Sequence, residues 1–130
     1  KGTIRSTQIA TGLENNLNIS VYGSKGSLSW EQENPNYLYH YTSDKPLQVL
    51  KPGHLYNTDL SLDGTKLPAG HPEGIFDAMG NIYRGVARAI RGEKNEKGEF
   101  PTIDEGVRGM DFIEKAVKSN ENGNIWLELD

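Results

Sequence analysis

Residues 17–30 read LNISVYGSKGSLSW and predict a β-hairpin. Apolar side chains alternate with polar ones in both arms, at Leu17, Ile19 and Val21 in the first and at Leu28 and Trp30 in the second. This period of two is typical of strands with one buried face and one hydrated face. Residues 23–26, Gly-Ser-Lys-Gly, place a two-residue loop between glycines and suit a tight reversal. The stretch therefore predicts the start of an antiparallel sheet.

Further strands are predicted on both sides of this hairpin. Residues 3–10 precede it and are rich in β-branched side chains. After the Asn-Pro-Asn break at residues 34–36, strand character returns at residues 37–42 and 47–51, and residues 125–129 alternate again near the end of the chain. The predicted sheet therefore has about six strands.

The second half of the chain changes to a helical period. From Ile75 onwards an amphipathic helix of roughly 18 residues is predicted, because apolar side chains recur at intervals of three and four. They are Ile75, Phe76, Met79, Ile82, Tyr83, Val86 and Ile90. Gly92 and the charged residues 93–99 predict its end and a solvent loop. Thr102 with Glu105 three residues later is the capping-box pattern, which predicts the start of a second long helix. Its apolar stripe is Ile103, Val107, Met110, Ile113 and Val117.

These elements predict an α+β fold with an open, largely antiparallel sheet of about six strands and two long helices on one face. Two helices cover only one face of such a sheet, so the other face meets solvent or another protein. Tyr37, Tyr39 and Tyr41 lie at period two and present one aromatic face. That face suits either stacking on a sugar or packing against a second subunit.

Composition and charge exclude several classes of function. The 130 residues have the size of one compact domain, and a net charge of -4 without a basic stripe argues against nucleic acid or an anionic membrane as partner. The chain has no cysteine, so thiolate metal sites and disulfides are excluded and a cytoplasmic location is expected. No apolar run approaches the ~20 residues that cross a bilayer. Because Lys1 leads directly into a strand-like run without an initiator Met, we expect an upstream segment to be missing.

No complete catalytic motif is present in the sequence. Neither G-x-G-x-x-G nor G-x-x-x-x-G-K-[ST] occurs, so the usual phosphate-binding loops of nucleotide enzymes are absent. His40, His54 and His71 are too scattered to predict a metal site. The segment PAGHPEG at residues 68–74 is the least explained by folding, because glycines and prolines constrain a loop that carries an imidazole. It fits either a ligand-facing loop or a capping turn before the first long helix.

Several segments, in order along nearly the whole chain, resemble one protein family. They are ATGLEN at residues 10–15, VYGSKGSLSW at 21–30, PN at 35–36, LPAGHPEG at 67–74 and FPTIDEGVRGMDFIE at 100–114. Together they are similar to the C-terminal domain of the Gfo/Idh/MocA (glucose-fructose oxidoreductase / inositol dehydrogenase) oxidoreductases. Five segments in order are more specific than any one of them.

The resemblance implies the C-terminal substrate and oligomerisation domain of an NAD- or NADP-dependent oxidoreductase acting on a sugar or polyol. In that family an N-terminal Rossmann domain, absent from this sequence, holds the cofactor for reversible hydride transfer. The family's catalytic Lys of an E-K-P motif and its Asp and His of a D-x-x-x-H helix do not occur here either. We therefore expect no catalytic, cofactor-binding or metal-binding residue in residues 1–130, no activity of the chain alone, and a homo-oligomer formed through the open sheet face.

His71 is the residue that the resemblance places at the substrate pocket, because the family's Gly-His segment precedes the long helix near the cleft. Arg5, Tyr22 and Lys51 are candidate polar neighbours. Two other functions stay open on the residues alone, a free-standing carbohydrate-binding module and a purely structural oligomerisation domain. The upstream sequence distinguishes them, since the enzyme requires G-x-G-x-x-G, then E-K-P, then D-x-x-x-H before Lys1.

Overall fold

The computed structural model describes residues 1–95 and 98–129, and these contain one four-stranded sheet and three helices. The strands are β1 (Asn18–Tyr22), β2 (Ser27–Glu31), β3 (Leu38–Thr42) and β4 (Lys45–Leu50). The helices are α1 (Asp59–Gly64), α2 (Ile75–Ile90) and α3 (Ile103–Glu121). The sheet is antiparallel with the order β1-β2-β3-β4. The chain divides into two compact units, Lys1–Ala78 and Met79–Asp130.

The predicted hairpin is confirmed as the β1–β2 pair. Val21 lies opposite Leu28 across this pair, and the Gly23 N–H donates to the Gly26 carbonyl at 2.9 Å to close the turn. Glycine is required at position 26 because a Cβ there would lie 2.6 Å from the Tyr41 carbonyl oxygen of β3. The tight reversal therefore also lets β3 approach the turn closely.

Strand register divides the sheet into two chemically different faces. Residues directly opposite each other on paired strands point to the same side. One side is mostly apolar and carries Ile19, Val21, Leu28, Trp30, Leu38 and Leu50, together with the polar pair His40 and Gln48. The opposite side, here named the aromatic face, carries Ser20, Tyr22, Ser29, Tyr39, Tyr41 and Val49. The 3.1 Å contact between the Ser20 and Ser29 hydroxyls lies on the aromatic face. Tyr37, expected to share this face, precedes β3 and is outside the strand.

Two of the six predicted strands do not form among the described residues, so the predicted strand count is wrong. Residues 3–10 and 125–129 have no strand structure. β-branched residues favour a strand only where a neighbouring strand supplies hydrogen bonds and packing. Residues 9–13 instead make local turns, since the Thr11 N–H donates to Ile9 and the Leu13 N–H to Ala10. At the other end, the Ser119 hydroxyl holds the Ile125 carbonyl at 2.6 Å.

The two long helices are confirmed, and a short third helix was not predicted. α2 has 16 residues and α3 has 19. α1 has six residues, too few to show an apolar period, and begins where the Thr58 hydroxyl accepts the Ser61 N–H at 3.3 Å. The placement of the long helices on one sheet face stays a prediction. Within the predicted loop 93–99, residues 96 and 97 lie outside the described residues.

The capping box at the start of α3 is confirmed. The Thr102 N–H donates to the Glu105 carboxylate at 2.7 Å, and the Thr102 hydroxyl donates to the same carboxylate. These two bonds, the hydroxyl bond first, lower the pKa of Glu105 below its ordinary value of 4.5. The charged carboxylate also interacts favourably with the positive end of the helix dipole.

A close contact between α2 and the segment after it orders the second unit. Gly85 is the buried residue of α2, and a Cβ built there would lie 2.7 Å from the Glu99 Cβ. The Glu99 carboxylate accepts hydrogen bonds from Arg84 at 3.1 Å and Arg88 at 3.0 Å, with only 12% of its side chain exposed. Asn95 bonds the Glu99 N–H and the Phe100 carbonyl, both at 2.8 Å. Glycine at position 85 therefore makes room for this charged contact.

Large apolar side chains remain exposed throughout the described residues. None of the hydrophobic side chains in residues 1–95 and 98–129 is buried, and the predicted stripes are open, with Phe76 88%, Ile90 82% and Ile103 79% exposed. Full burial of such a side chain stabilises by about 1.5–3 kcal/mol. These helices thus carry apolar surface of the kind found at contacts with further protein. None of the helices described is both long and apolar enough to cross a membrane.

Candidate functional site

Three loops meet at one end of the sheet and are named here the three-loop cluster, residues 34–37, 51–57 and 66–74. Leu38 at the start of β3 pairs with Leu50 at the end of β4. Antiparallel pairing therefore brings the first two loops to the same end of the sheet. Contacts from Asn36 and Gly53 join the third loop to the other two.

Asn36 binds the backbone of Glu73 with both ends of its side-chain amide. Its Nδ2 donates to the Glu73 carbonyl at 2.9 Å, and its Oδ1 accepts the Glu73 N–H at 3.0 Å. The pair is partly buried and joins residues 37 positions apart in sequence. An amide that replaces a backbone partner in this way fixes both the distance and the direction of the bound loop.

Glu73 also closes its own loop through its carboxylate. Its Oε1 accepts the backbone N–H groups of Lys66 and Leu67, each at 2.6 Å. Hydrogen bonds to an ionised acceptor are shorter and stronger than neutral ones. Immediately afterwards, the Gly74 N–H donates to Asp77 Oδ2 at 2.9 Å and leads into α2. The loop is therefore fixed at both ends by carboxylates.

Gly53 brings the second loop against the third. Its φ of 77° lies in the left-handed region, and a Cβ at this position would lie 3.1 Å from the backbone N and Cα of Ala69. Both the backbone conformation and the close approach favour glycine here. The contact holds the second loop against the residues that precede His71.

The second loop carries a cation and two stacked rings. Lys51 Nζ lies 5.4 Å from the centroid of the Tyr37 ring, a cation–π distance. The Tyr56 hydroxyl accepts the Lys51 N–H at 3.1 Å, and the Asn57 amide donates to the Lys51 carbonyl at 2.8 Å. His54 and Tyr56 stack with ring centroids 5.1 Å apart. Lys51 is thus held by its backbone, while its ammonium group lies over an aromatic ring.

His71 lies exposed at the tip of the third loop. Its Nδ1 lies 3.2 Å from the Pro68 carbonyl oxygen, and its backbone N–H donates to the same oxygen at 3.1 Å. A carbonyl only accepts, so this contact is a hydrogen bond in the neutral tautomer that carries its proton on Nδ1. Nε2 then carries the lone pair and is the atom that can accept a hydrogen bond from a ligand.

The other sequence candidates divide between this cluster and two distant places. Lys51 belongs to the cluster, as does His54, which the sequence did not predict as a site residue. Tyr22 lies at the hairpin end of β1, about 13 Å from Asn18 at the other end of this five-residue strand. Arg5 lines a separate cavity of about 620 Å³ formed by residues 3–18, of which His71 is not a part. Of the three predicted polar neighbours Arg5, Tyr22 and Lys51, the structure therefore brings only Lys51 into the same cluster as His71.

Asn36 and Glu73 are the contributors that sequence reasoning missed. Asn36 follows Pro35 in a turn, and Glu73 follows Pro72, so each looks like an ordinary loop residue. Their pairing is long-range and cannot be found from spacing. The available signal was that each of these polar residues directly follows a proline in a loop, where the backbone is restricted.

The starts of the two long helices, α2 and α3, already carry carboxylates. Pyrophosphate is usually bound by free N–H groups at a helix N-terminus. Here Asp77 accepts the N–H ahead of α2 and Glu105 the N–H ahead of α3, so each helix start already holds a carboxylate that repels an anion. No group of three His, Asp or Glu side chains arranged for a metal occurs in residues 1–95 and 98–129.

Comparison with known families identifies the class of domain. Residues 2–129 match the family described as "Oxidoreductase family, C-terminal alpha/beta domain". The match covers nearly the whole chain, so the fold and the loops above belong to the C-terminal domain of an oxidoreductase. The chain belongs to the Gfo/Idh/MocA family, as the resemblance in sequence predicted.

One protein sequence and three solved structures illustrate the similarity. The uncharacterized oxidoreductase YfiI of Bacillus subtilis (strain 168) is 34% identical over 134 residues, which cover 98% of this chain and 34% of YfiI. An oxidoreductase structure from Sinorhizobium meliloti is 38% identical with a TM-score of 0.88, covering 94% of this chain and 35% of its own. An inositol dehydrogenase homologue from Azotobacter vinelandii is 32% identical with a TM-score of 0.82 in its NAD+ complex, covering 92% and 32%. A further inositol dehydrogenase homologue structure from Azotobacter vinelandii, complexed with NADH and myo-inositol, is 31% identical with a TM-score of 0.74, covering 92% of this chain and 33% of its own. The chain thus spans about a third of the length of these relatives.

Proposed function

We propose that this chain forms the substrate-side part of an NAD- or NADP-dependent oxidoreductase that acts on a sugar or polyol, with His71 lining the pocket. The observation that carries the proposal is the three-loop cluster, in which polar contacts hold the loop that presents the exposed His71 ring. The substrate class is supported by the relative from Azotobacter vinelandii, which was solved with NADH and myo-inositol.

The chemistry of the cluster suits a ligand rich in hydroxyl groups. Each hydroxyl of a polyol both donates and accepts hydrogen bonds. With the proton of the neutral ring on Nδ1, His71 Nε2 accepts a bond from such a hydroxyl, and the Lys51 ammonium supplies donors in the same cluster. Binding sites of this kind use a few fixed polar groups to set ligand orientation. His71 thus binds and orients the substrate, and no proton-transfer step is assigned to it.

The cofactor belongs, in this proposal, to an N-terminal Rossmann domain outside residues 1–130. This division is supported by the missing G-x-G-x-x-G and by the carboxylates at the starts of α2 and α3. Calorimetry with NADH and NADPH tests it on the 130-residue chain, for which we expect no saturable binding and no dehydrogenase activity. Saturable binding of either cofactor at a ratio near one to one contradicts the division.

The role of His71 is tested in the intact parent enzyme with the His71→Ala variant. Loss of one hydrogen bond to the substrate lowers kcat/KM by about 2- to 10-fold, with the cofactor Kd unchanged. His40→Ala is the matched control, because His40 also loses one imidazole contact but bonds Gln48 within the sheet at 3.0 Å. If His71→Ala only lowers the Tm and keeps wild-type kinetics, His71 is a structural residue.

A second role, self-association through the aromatic face, is favoured by exposed tyrosines. Tyr22 is 82% exposed and Tyr41 43% exposed on this face. Tyrosine is enriched at protein interfaces because it combines a large contact area with a polar tip. A sugar bound to this face of the isolated chain would instead favour a free-standing carbohydrate-binding module.

A further inference from the structure

The segment that carries His71 is closed onto Glu73 from both sides. On its N-terminal side, the Glu73 carboxylate holds the N–H groups of Lys66 and Leu67 at 2.6 Å. On its C-terminal side, the backbone of Glu73 is held by Asn36 at 2.9 and 3.0 Å. One residue therefore fixes both ends of the loop, and Asn36 connects that residue to the β2–β3 turn.

The direction of the His71 ring depends on these connections. The ring itself has one described contact, from Nδ1 to the Pro68 carbonyl oxygen at 3.2 Å, which is long for a hydrogen bond. Pro68 follows Leu67 directly, so its carbonyl lies next in the chain to the backbone that Glu73 holds through the Leu67 N–H. The side chain of His71 is exposed and gains little from packing. Polar contacts at the ends of the loop are thus the described interactions that set where Nε2 points.

We propose that Asn36 and Glu73 are positioning residues that aim His71 Nε2 at the substrate. This inference rests on the proposed function of His71. Neither residue needs to touch the substrate, because the Asn36 amide and the Glu73 carboxylate both bind backbone groups of the loop. Loosening either connection lets the ring leave the Pro68 carbonyl, so that its neutral form exchanges between the Nδ1–H and Nε2–H tautomers.

Kinetics of the intact parent enzyme give the first test. We expect Asn36→Ala to lower kcat/KM about 2- to 10-fold, as His71→Ala does, and to cause no further loss when combined with His71→Ala. Glu73→Ala behaves in the same way, whereas Glu73→Gln recovers most of the activity because its amide oxygen still accepts the two N–H groups. Asn122→Ala is the matched control, since Asn122 also donates to a backbone carbonyl, that of Lys118 at 2.7 Å. A full additional loss for Asn36→Ala in the His71→Ala background overturns the inference.

Nitrogen NMR of the His71 ring gives a second test that does not depend on activity. In the wild-type parent enzyme, we expect the neutral ring to be protonated at Nδ1, and in Asn36→Ala a mixture of the two tautomers. An unchanged ring spectrum in Asn36→Ala and Glu73→Ala overturns the positioning role, even if the kinetics change. If Asn36→Ala does not fold, Asn36→Asp takes its place, because it keeps the acceptor for the Glu73 N–H and loses the donor. If His71→Ala has wild-type kinetics, the proposed function fails, while the ring spectrum still decides the positioning role.

Discussion

Replacement of Gly85 by alanine tests whether the contact inside the second unit forms as described. The new Cβ would lie 2.7 Å from the Glu99 Cβ and 3.0 Å from Phe100 Cδ1, whereas carbon atoms pack best at about 3.5–4.0 Å. The Glu99 Cβ adjoins the backbone and cannot rotate away, so the segment must move. Overpacking of this kind costs about 1–3 kcal/mol, and alanine gains about 1 kcal/mol in helix propensity. Gly85→Ala should therefore destabilise by roughly 1 kcal/mol.

Gly80 in the same helix provides the matched control. A Cβ at Gly80 meets nothing within 4 Å, so Gly80→Ala gains propensity without a clash and should stabilise by up to about 1 kcal/mol. Urea titration of the 130-residue chain, followed by circular dichroism, compares the two free energies of unfolding. We expect Gly85→Ala to be the less stable variant by about 1–3 kcal/mol. Equal stability, or a more stable Gly85→Ala, would show that Glu99 does not pack against this helix.

Two further predictions concern the capping box and the aromatic face. Thr102→Val removes the hydroxyl bond that contributes most to the low pKa of Glu105, so NMR titration should show this pKa rising toward 4.5. Because the folded-state pKa is lowered, the Glu105 carboxylate stabilises the fold above about pH 4.5, and this contribution is lost as the pH falls through the folded pKa. Glu105→Gln has no carboxylate to protonate at this position, so its Tm should depend less on acid pH. Light scattering of the chain at tens of micromolar should show an oligomer, with an interface that buries on the order of 1,200–2,000 Å². Tyr22→Lys should weaken this oligomer, because it places a charge on the exposed aromatic face. A wild-type monomer contradicts self-association through this face.

Sequence reasoning succeeded where the deciding interactions are local. The hairpin at residues 17–30 depends on alternation and on a glycine-bracketed turn, both within one short stretch. The start of α3 depends on Thr102 and Glu105, three residues apart. The strands predicted at residues 3–10 and 125–129 failed because a strand requires a partner, which propensity alone does not supply.

The candidate site was only partly predictable for the same reason. His71 could be singled out because glycines and prolines surround it in one segment. The contact that holds its loop joins Asn36 to Glu73, 37 positions apart in sequence. The close approach of Gly53 to Ala69 likewise joins two separate loops. Such contacts depend on which loops the strand pairing brings together. The sequence does not show that Leu38 pairs with Leu50, which puts the first two loops at the same end of the sheet.

The three-loop cluster is held by directional polar contacts, and this suits a site that must aim one side chain. Apolar burial is non-directional and stabilises many similar arrangements almost equally. The bonds from Asn36 and Glu73 instead require particular donor and acceptor positions, and each weakens steeply when its angle is lost. A loop fixed in this way keeps the Pro68 carbonyl within reach of the His71 ring. Loss of Asn36 or Glu73 is therefore expected to change the orientation of the His71 ring before it unfolds the sheet. Neither residue takes part in the pairing of the four strands.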